Sequence, residues 1–268
     1  MKQNLHLHTT FCDGKDTPEE MIEEAIARGF QSLGFSMHSY LTCSASRVTP
    51  EEIARYRKEI TRLKEQYAGK LEIYLGMEYD IYSDCTWQDY DYTIASVHYL
   101  HTKEGRKTFD DGREETLRYI KDYFDGDNMK FAKAYYETLA TAPRYGNFDI
   151  IGHFDLITKH NEALHLFDTD SKTYRGYVTQ AIDALQGKIP LFEVNTGAVA
   201  RGYRTTPYPE TWILKLLLEK GFGAVITTDC HDKRFLDCHY EEAVALLREA
   251  GFKSRFYLTP RGFEEVAL

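Results

Sequence analysis

The sequence contains no long apolar run and no targeting segment. Its apolar stretches fall short of the roughly 18 residues that a membrane-spanning helix needs, so we expect no membrane partner. The N-terminus, MKQNLHLHTTFCDG, lacks the apolar core and the small-residue cleavage site of a signal peptide. With 43% apolar and 28% charged residues among 268, the chain has the composition of an ordinary globular protein. These features predict a cytoplasmic protein.

The chain also lacks a disulfide framework and a basic stripe. Its five cysteines are odd in number and form no CxxC pair, which is typical of free thiols in a reducing compartment. Lysine and arginine number 33 against 42 aspartates and glutamates, which gives a formal net charge of −9. Because a binder of long polyanions normally presents a basic stripe, this balance argues against a nucleic-acid partner and still permits a small anionic substrate.

Short β-rich runs alternate with amphipathic helices along the chain. The runs cover approximately Asn4–His8, Ser32–His38, Glu72–Glu78, Tyr92–His98, Phe148–His153, Ile189–Val194 and Gly223–Thr228, and a weaker one lies near Arg255–Leu258. Most are apolar throughout, which favours parallel strands buried on both faces and an α/β fold. No linker rich in glycine, serine or proline divides the chain. We therefore expect one domain over residues 1–268, with a helical elaboration at about 105–147 whose role as a lid the sequence leaves open.

Polar side chains follow the C-terminal ends of these runs. In a βα barrel these ends converge on one face, so groups far apart in the sequence become neighbours in space. A lone histidine at a strand end is more often a hydrogen-bonded core residue than a ligand. Six histidines beside three carboxylates, however, could be buried together only with large pKa shifts or with cations. The predicted metal ligands are His6, His8, Asp13, His38, Glu78, His98, His153, Asp229 and His231.

Several motifs resemble those of the PHP superfamily, named for polymerase and histidinol phosphatase. They are HLHTTFCDG, SMHSY, LGMEYD, ASVHYL, IGHFD and TTDCH, and the chain length is most similar to that of the histidinol-phosphatase branch. The resemblance implies a distorted (β/α)7 TIM-like barrel with a metal site at the C-terminal strand ends. It also implies three clustered divalent ions and hydrolysis of L-histidinol phosphate to L-histidinol and phosphate in histidine biosynthesis.

The same resemblance assigns the ligands to three ions. The first ion would be held by His6, His8, Glu78 and Asp229, the second by Glu78 as a bridge with His98 and His153, and the third by Asp13, His38 and His231. Many relatives have histidine at the position of Asp13. The ions would be zinc, manganese or iron, because mixed imidazole and carboxylate sites accept all three. Open coordination positions would remain for water and for substrate.

The predicted chemistry is hydrolysis of a small phosphate monoester. Divalent ions lower the pKa of bound water to roughly 7, so a bridging hydroxide would attack phosphorus. The predicted catalytic residues are Glu78, His231 and Asp229, and the resemblance makes Asp229 the first choice for protonating the leaving alkoxide. Arg201 is predicted to bind phosphate oxygens, the alternative being a solvated surface arginine. Asn195 could orient phosphate or a metal ligand, but a turn residue at a strand end is an equally good interpretation.

Two other functions remain open from the sequence alone. A phosphodiesterase or exonuclease of the same superfamily, or a hydrolase of another small phosphoester, would use the same ligands. A metal-binding module without enzymatic activity would use them for storage, although storage sites normally leave no open coordination position. The sequence does not predict the oligomeric state.

Overall fold

The computed structural model describes residues 1–44, 48–85 and 89–268. Within these ranges the strands are β1 (Gln3–Asn4), β2 (Ser32–Phe35), β3 (Glu72–Asp80), β4 (Tyr92–Ser96), β5 (Tyr99–Thr102), β6 (Gly105–Thr108), β7 (Ile150–Ile151), β8 (Leu191–Asn195), β9 (Gly223–Thr227), β10 (Ser254–Thr259) and β11 (Gly262–Ala267). The α-helices are α1 (Pro18–Ala27), α2 (Pro50–Gln66), α3 (Arg113–Phe124), α4 (Asn128–Leu139), α5 (Asn161–Leu164), α6 (Lys172–Leu185), α7 (Gly197–Ala200), α8 (Thr211–Glu219) and α9 (Tyr240–Ala250). Each of these helices is too short or too polar to cross a lipid bilayer.

Seven parallel strands of the described ranges form one sheet, in the order β1-β2-β3-β4-β7-β8-β9. The two edges of this sheet meet, because the segment after β9 pairs with the segment after β1 through a parallel bridge between Leu7 and Cys230. His8 N donates to the Cys230 carbonyl at 2.9 Å, and Cys230 N donates to the His6 carbonyl at 3.1 Å. The sheet is therefore a nearly closed barrel, and the predicted distorted TIM-like fold is confirmed.

Local sequence signals explain where the outer helices begin. Thr17 caps α1 through a reciprocal capping box, in which Glu20 N donates to Thr17 Oγ1 at 3.3 Å and Thr17 N donates to Glu20 Oε2 at 2.9 Å. Thr49 caps α2 with the forward bond alone, since its side chain accepts from Glu52 N at 3.2 Å. Proline occupies the first position of both helices, where its missing N–H costs no hydrogen bond.

Tyr92, at the start of β4, lies inside the barrel. Tyr92 is 1% exposed, and its hydroxyl donates to the carbonyls of Leu5 and Phe35. Its ring lies against β2 and β3, where a Cβ added at Gly34 or Gly76 would come within 2.5 Å of tyrosine atoms. Glycine at these two positions therefore makes room for the ring.

The strand predicted near Arg255–Leu258 lies outside the barrel wall. It is β10, which forms an antiparallel hairpin with β11. Gln3 Nε2 donates to the Leu258 carbonyl at 2.8 Å, and Leu258 N donates to Gln3 Oε1 at 2.9 Å. Leu258 and Phe256 pack against Leu5 at the N-terminal ends of the barrel strands. The hairpin thus covers one end of the barrel and leaves the opposite end for the predicted ligands.

The stretch predicted as a helical elaboration begins with an unpredicted hairpin. β5 and β6 pair antiparallel, and Gly105 turns the chain with a φ of +93°. The helices α3 and α4 follow, and α4 packs against α6 on the outside of the barrel. The hairpin, and not these helices, contributes Tyr99 and Thr108 to the cleft at the C-terminal strand ends. The assignment of a single domain stays a prediction.

Candidate metal centre

The C-terminal ends of the barrel strands bring the predicted ligands together. His6 and His8 follow β1, and Asp229 and His231 follow β9. These two segments are neighbours because the barrel closes between them. All nine predicted ligands fall into four overlapping groups whose ligand atoms lie within 4.8 Å of one another: His8–Asp13–His38–His231, His6–Glu78–His153, His6–His8–Asp229 and His38–Glu78–His98.

Glu78 lies at the centre of the cluster, and its two oxygens face different histidines. The side chain is 1% exposed, and Ser96 Oγ donates to Oε1 at 2.7 Å. Imidazole nitrogens lie 2.9–3.5 Å from the carboxylate, those of His6, His98 and His153 on the Oε1 side and those of His8 and His38 on the Oε2 side. A carboxylate in this position can bridge two cations.

Asp229 is held in an unusual backbone conformation beside the first two histidines. Its φ is +46°, and its Oδ1 lies 3.2 Å from His8 Nε2 and 3.5 Å from His6 Nε2. Arg201 donates from Nη2 to Asp229 Oδ2 and from Nη1 to the Asp229 carbonyl, both at 2.8 Å. A Cβ at Gly197 would lie 2.8 Å from the Thr228 carbonyl oxygen and 2.9 Å from Arg201 Nη2, so any larger residue would displace the backbone beside this contact.

Asp13 joins the more exposed ligands at the rim. Its Oδ2 lies 3.3 Å from His231 Nε2 and 3.5 Å from His38 Nε2, and its Oδ1 lies 3.6 Å from His8 Nδ1. The Asp13 side chain is 56% exposed, whereas that of His8 is fully buried. The group predicted around Asp13 is therefore a real cluster that opens towards solvent.

The protonation states within the cluster suit cation binding. Burial alone would raise the pKa of Glu78, but nearby imidazoles, His6 first, hold it well below its usual range. Burial likewise opposes ionisation of Asp229, and the Arg201 guanidinium outweighs it, so that the pKa of Asp229 is also lowered. Burial and neighbouring imidazoles lower the pKa of His8 to about 3. The carboxylates are thus anionic and His8 is neutral. Although burial opposes it, neighbouring carboxylates raise the pKa of His6, His38 and His98, so a cation bound here would take the place of protons on these imidazoles.

Four buried atoms of the cluster have no hydrogen-bond partner among the described residues. They are His6 Nε2, His8 Nε2, His153 Nδ1 and Glu78 Oε2. Buried polar atoms are rarely left in this state. Imidazole nitrogens and carboxylate oxygens are the donors that zinc and related divalent ions accept. The residues present therefore fit divalent metal ions.

A cleft with two lobes opens above the cluster. The basic lobe contains Lys159 and Arg201, and the hairpin lobe contains Leu41 and Tyr99. Asp110 lines both lobes, and its Oδ1 lies 2.9 Å from Lys159 Nζ. Arg201 thus faces the cleft, as its predicted phosphate-binding role requires.

Asn195 does not reach this cleft. It is fully buried, its Nδ2 donates to Glu193 Oε1 at 2.7 Å, and its Oδ1 accepts from Gly197 N at 2.8 Å. Because both ends of its amide are engaged beneath the cluster, the geometry does not favour a direct contact with phosphate. Its second predicted role, behind a metal ligand, fits these contacts.

Two buried carboxylates next to the ligands were missed by the sequence analysis. Glu193 is fully buried and its Oε2 lies 2.9 Å from His6 Nδ1. Asp80 accepts from His98 N at 2.8 Å. Glu193 is the lone charged residue in an apolar strand, and Asp80 follows Glu78 with the period of two that places both on one strand face. Both signals were present in the sequence.

A parallel TIM-like barrel with clustered histidines and carboxylates at its C-terminal strand ends belongs to the class of barrels whose open end can hold metal ions. The PHP domain model matches residues 4–197, which is most of the chain. The chain therefore belongs to the PHP domain family, and the predicted superfamily is confirmed.

Relatives of similar length carry related names. A protein named "Probable histidinol-phosphatase" from Deinococcus radiodurans is 29% identical over 261 residues, covering 92% of each chain. The histidinol-phosphatase of Bacillus subtilis is 26% identical over 263 residues, covering 90% of this chain and 97% of its own. A crystal structure of histidinol phosphate phosphatase from Lactococcus lactis, complexed with zinc, L-histidinol and phosphate, is similar with a TM-score of 0.74 at 18% identity and 98% coverage of both chains. This structural likeness supports the fold.

Proposed function

We propose that the chain is a metal-dependent phosphomonoesterase that hydrolyses L-histidinol phosphate to L-histidinol and phosphate in histidine biosynthesis. Two relatives with histidinol-phosphatase names align with at least 90% of this chain. The single observation that carries the proposal is the position of Glu78, whose oxygens face imidazoles on both sides beneath an open basic lobe. That arrangement suits a catalytic centre more than a closed storage site.

The proposed cofactors are three divalent ions of zinc, manganese or iron. They would be held by His6, His8, Glu78 and Asp229, by Glu78 with His98 and His153, and by Asp13, His38 and His231. When bound, such ions stabilise charge on phosphate oxygens and lower the pKa of water. In this proposal Glu78 and His231 serve catalysis by fixing the positions of the ions.

Arg201 and Lys159 would bind the phosphate group. The bonds to Asp229 fix the Arg201 guanidinium beside the cluster, and its remaining N–H groups can bind phosphate oxygens. Lys159 adds a second positive charge to the same lobe. Catalysis of phosphoryl transfer depends largely on such positioning and charge stabilisation.

The two lobes of the cleft match the polarity of the proposed substrate. L-histidinol phosphate has a phosphate at one end and an ammonium and an imidazole at the other. The basic lobe suits the phosphate, Tyr99 offers an aromatic ring in the hairpin lobe, and Asp110 offers a carboxylate where the two lobes meet. We therefore assign the cationic end of the substrate to the hairpin lobe.

The proposal is tested by phosphate release from three substrates after elemental analysis of the purified protein. L-histidinol phosphate is expected to react with far higher kcat/KM than p-nitrophenyl phosphate, and a short single-stranded DNA is expected to remain intact. Preferential cleavage of the DNA would favour the exonuclease alternative. No hydrolysis of any phosphate ester by metal-loaded protein would favour a metal-binding module.

Asp229 is ionised before the reaction because its pKa is lowered, so we propose that it takes a proton from the attacking water and passes it to the leaving alkoxide. This role has its own test. The alkoxide of histidinol is a strong base that needs a proton, whereas p-nitrophenolate leaves without one. Asp229→Asn is therefore expected to slow histidinol phosphate hydrolysis more than p-nitrophenyl phosphate hydrolysis at equal metal content. Equal loss on both substrates would assign Asp229 to metal binding alone.

A further inference from the structure

Glu193 lies directly behind the cluster and is not one of the nine predicted metal ligands. Its side chain is fully buried in β8, and its carboxylate accepts four hydrogen bonds. Oε2 contacts His6 Nδ1 and Thr227 Oγ1, both at 2.9 Å, and Oε1 accepts from Asn195 Nδ2 at 2.7 Å and from the backbone N of His153. One carboxylate thus connects the ends of four barrel strands.

The directions of these hydrogen bonds determine which nitrogen of His6 carries a proton. Gly197 N donates to Asn195 Oδ1 at 2.8 Å, so Asn195 must turn its NH₂ group towards Glu193. An ionised carboxylate only accepts hydrogen bonds, so His6 Nδ1 must be the donor in its contact with Glu193. With Nδ1 held as the donor to Glu193, Nε2 on the opposite side of the ring is the nitrogen that can give up its proton to a cation and bind it through the lone pair.

That opposite side faces the proposed metal ions. His6 Nε2 lies 3.4 Å from Glu78 Oε1 and 3.5 Å from Asp229 Oδ1, and it has no hydrogen-bond partner among the described residues. We propose that Glu193 is a positioning residue that holds His6 in the orientation and tautomer needed to bind a metal ion through Nε2. A carboxylate behind a ligating imidazole commonly orients the ring and raises its basicity. The inference rests on the proposed metal ligation by His6.

Glu193→Gln tests this role because an amide cannot replace all four acceptor contacts. The His153 backbone N–H and the Asn195 NH₂ are fixed donors, so the new carbonyl oxygen must face them. The new NH₂ group must then face His6 and Thr227. His6 would have to accept at Nδ1 and carry its proton on Nε2, where the proton blocks metal binding.

The experiment measures zinc binding by competition with a chromophoric chelator and by elemental analysis. Glu193→Gln is expected to weaken the affinity for one ion by about 10–100-fold. Glu193→Asp, which keeps the charge, is expected to recover part of this loss. Thr227→Val is the matched control, since it removes a bond to the same oxygen and leaves His6 untouched, and its zinc affinity is expected to change less than about threefold. Circular dichroism and thermal unfolding without zinc check that each variant folds.

Two further measurements separate positioning from a general structural role. Long-range proton–nitrogen correlation spectra are expected to show His6 protonated on Nε2 in Glu193→Gln. In a His6→Ala background, the same substitution is expected to cause little further loss of zinc affinity. Equal losses in Glu193→Gln and Thr227→Val, or an undiminished loss in the His6→Ala background, would show that the inference is wrong.

The same data distinguish a failure of the role of Glu193 from a failure of the proposed metal ligation by His6. Full zinc content and affinity in His6→Ala would show that His6 is not a ligand, and both proposals would fail at this residue. If His6→Ala loses an ion while Glu193→Gln keeps wild-type affinity, only the role of Glu193 is overturned.

Discussion

The cluster has an inner half and an outer half that are built differently. The inner side chains are at most 3% exposed: His6, His8, Glu78 and His153. The outer side chains are 13–56% exposed: Asp13, His38, His98 and His231. Asp229 lies between the two, with 10% exposure and a bond to Arg201.

The two halves differ because different parts of the barrel support them. Inner ligands are backed by buried groups on the strands, such as Ser96 behind Glu78 and Glu193 behind His6. Asp13, in contrast, comes from a loop and its side chain is more than half exposed. Ligand side chains that already form hydrogen bonds to buried groups lose less conformational entropy when a cation binds. We therefore expect the inner half to retain its ions longer than the outer half.

The largest expected effect is that of Glu78→Gln, because this inner ligand also contacts the outer ligands His38 and His98. The substitution removes the central negative charge and leaves buried imidazoles without their shared partner. We expect kcat to fall by about 10²–10³-fold or more and metal content to fall as well. Phosphate release and elemental analysis measure both quantities. Glu249→Gln, on the exposed face of α9, is the control, and full metal content in Glu78→Gln would contradict a bridging role.

Zinc affinity and the rate of zinc removal test whether the inner half binds its ions more tightly than the outer half. His153→Ala is expected to weaken zinc affinity by up to about 100-fold and Asp13→Ala by nearer to tenfold, since His153 is almost fully buried and Asp13 is more than half exposed. In the unsubstituted chain, a chelator should remove zinc in two steps, the first of which is accelerated by Asp13→Ala. Release of all ions at one rate would show that the two halves bind equally.

Arg201→Ala tests the proposed contact between the cleft and the phosphate group of the substrate. Losing charge-assisted hydrogen bonds to phosphate is expected to lower kcat/KM about tenfold or more. Metal content should change little, since the guanidinium itself is not a ligand. Arg201→Lys keeps the positive charge but cannot form a bidentate pair of hydrogen bonds, so it should recover only part of the activity. Unchanged kinetics in Arg201→Ala would remove Arg201 from the phosphate site.

Asp110→Asn is expected to have the smallest effect. The carboxylate is half-buried and paired with Lys159, so its attraction to the cationic end of a substrate is moderate. We expect KM for L-histidinol phosphate to rise about threefold to tenfold, on the scale of one charged contact. KM for p-nitrophenyl phosphate, which has no cationic group, serves as the internal control. An equal rise for both substrates would instead indicate a change in the Lys159 position.

The barrel and the ligand positions could be predicted because each depends on short-range patterns. Apolar runs indicate buried strands, and the rule that parallel strands converge at their C-terminal ends places His38, His98 and His153 near one another. The pattern does not show which groups lie behind the ligands. Glu193 owes its position to partners on four strands, which only the closed barrel brings together.

The structure modifies two predictions, each for its own physical reason. Asn195 ends a strand, but the period of two places its side chain on the same face as Glu193, inside the barrel and not in the cleft. The hairpin of β5 and β6 is exposed and polar at Gly105 and its neighbours, so it lacks the apolar alternation that indicates a strand.

The closure of the barrel between Leu7 and Cys230 has a consequence for assembly. The seam is formed by backbone bonds around these residues and by side-chain bonds between Asn4 and Thr228. A cation shared by His6, His8 and Asp229 would tie both sides of this seam together. Because His8 and Asp229 lie about 220 residues apart in the sequence, that cation site would exist only after the two edges of the sheet have paired, and a bound cation would hold them together.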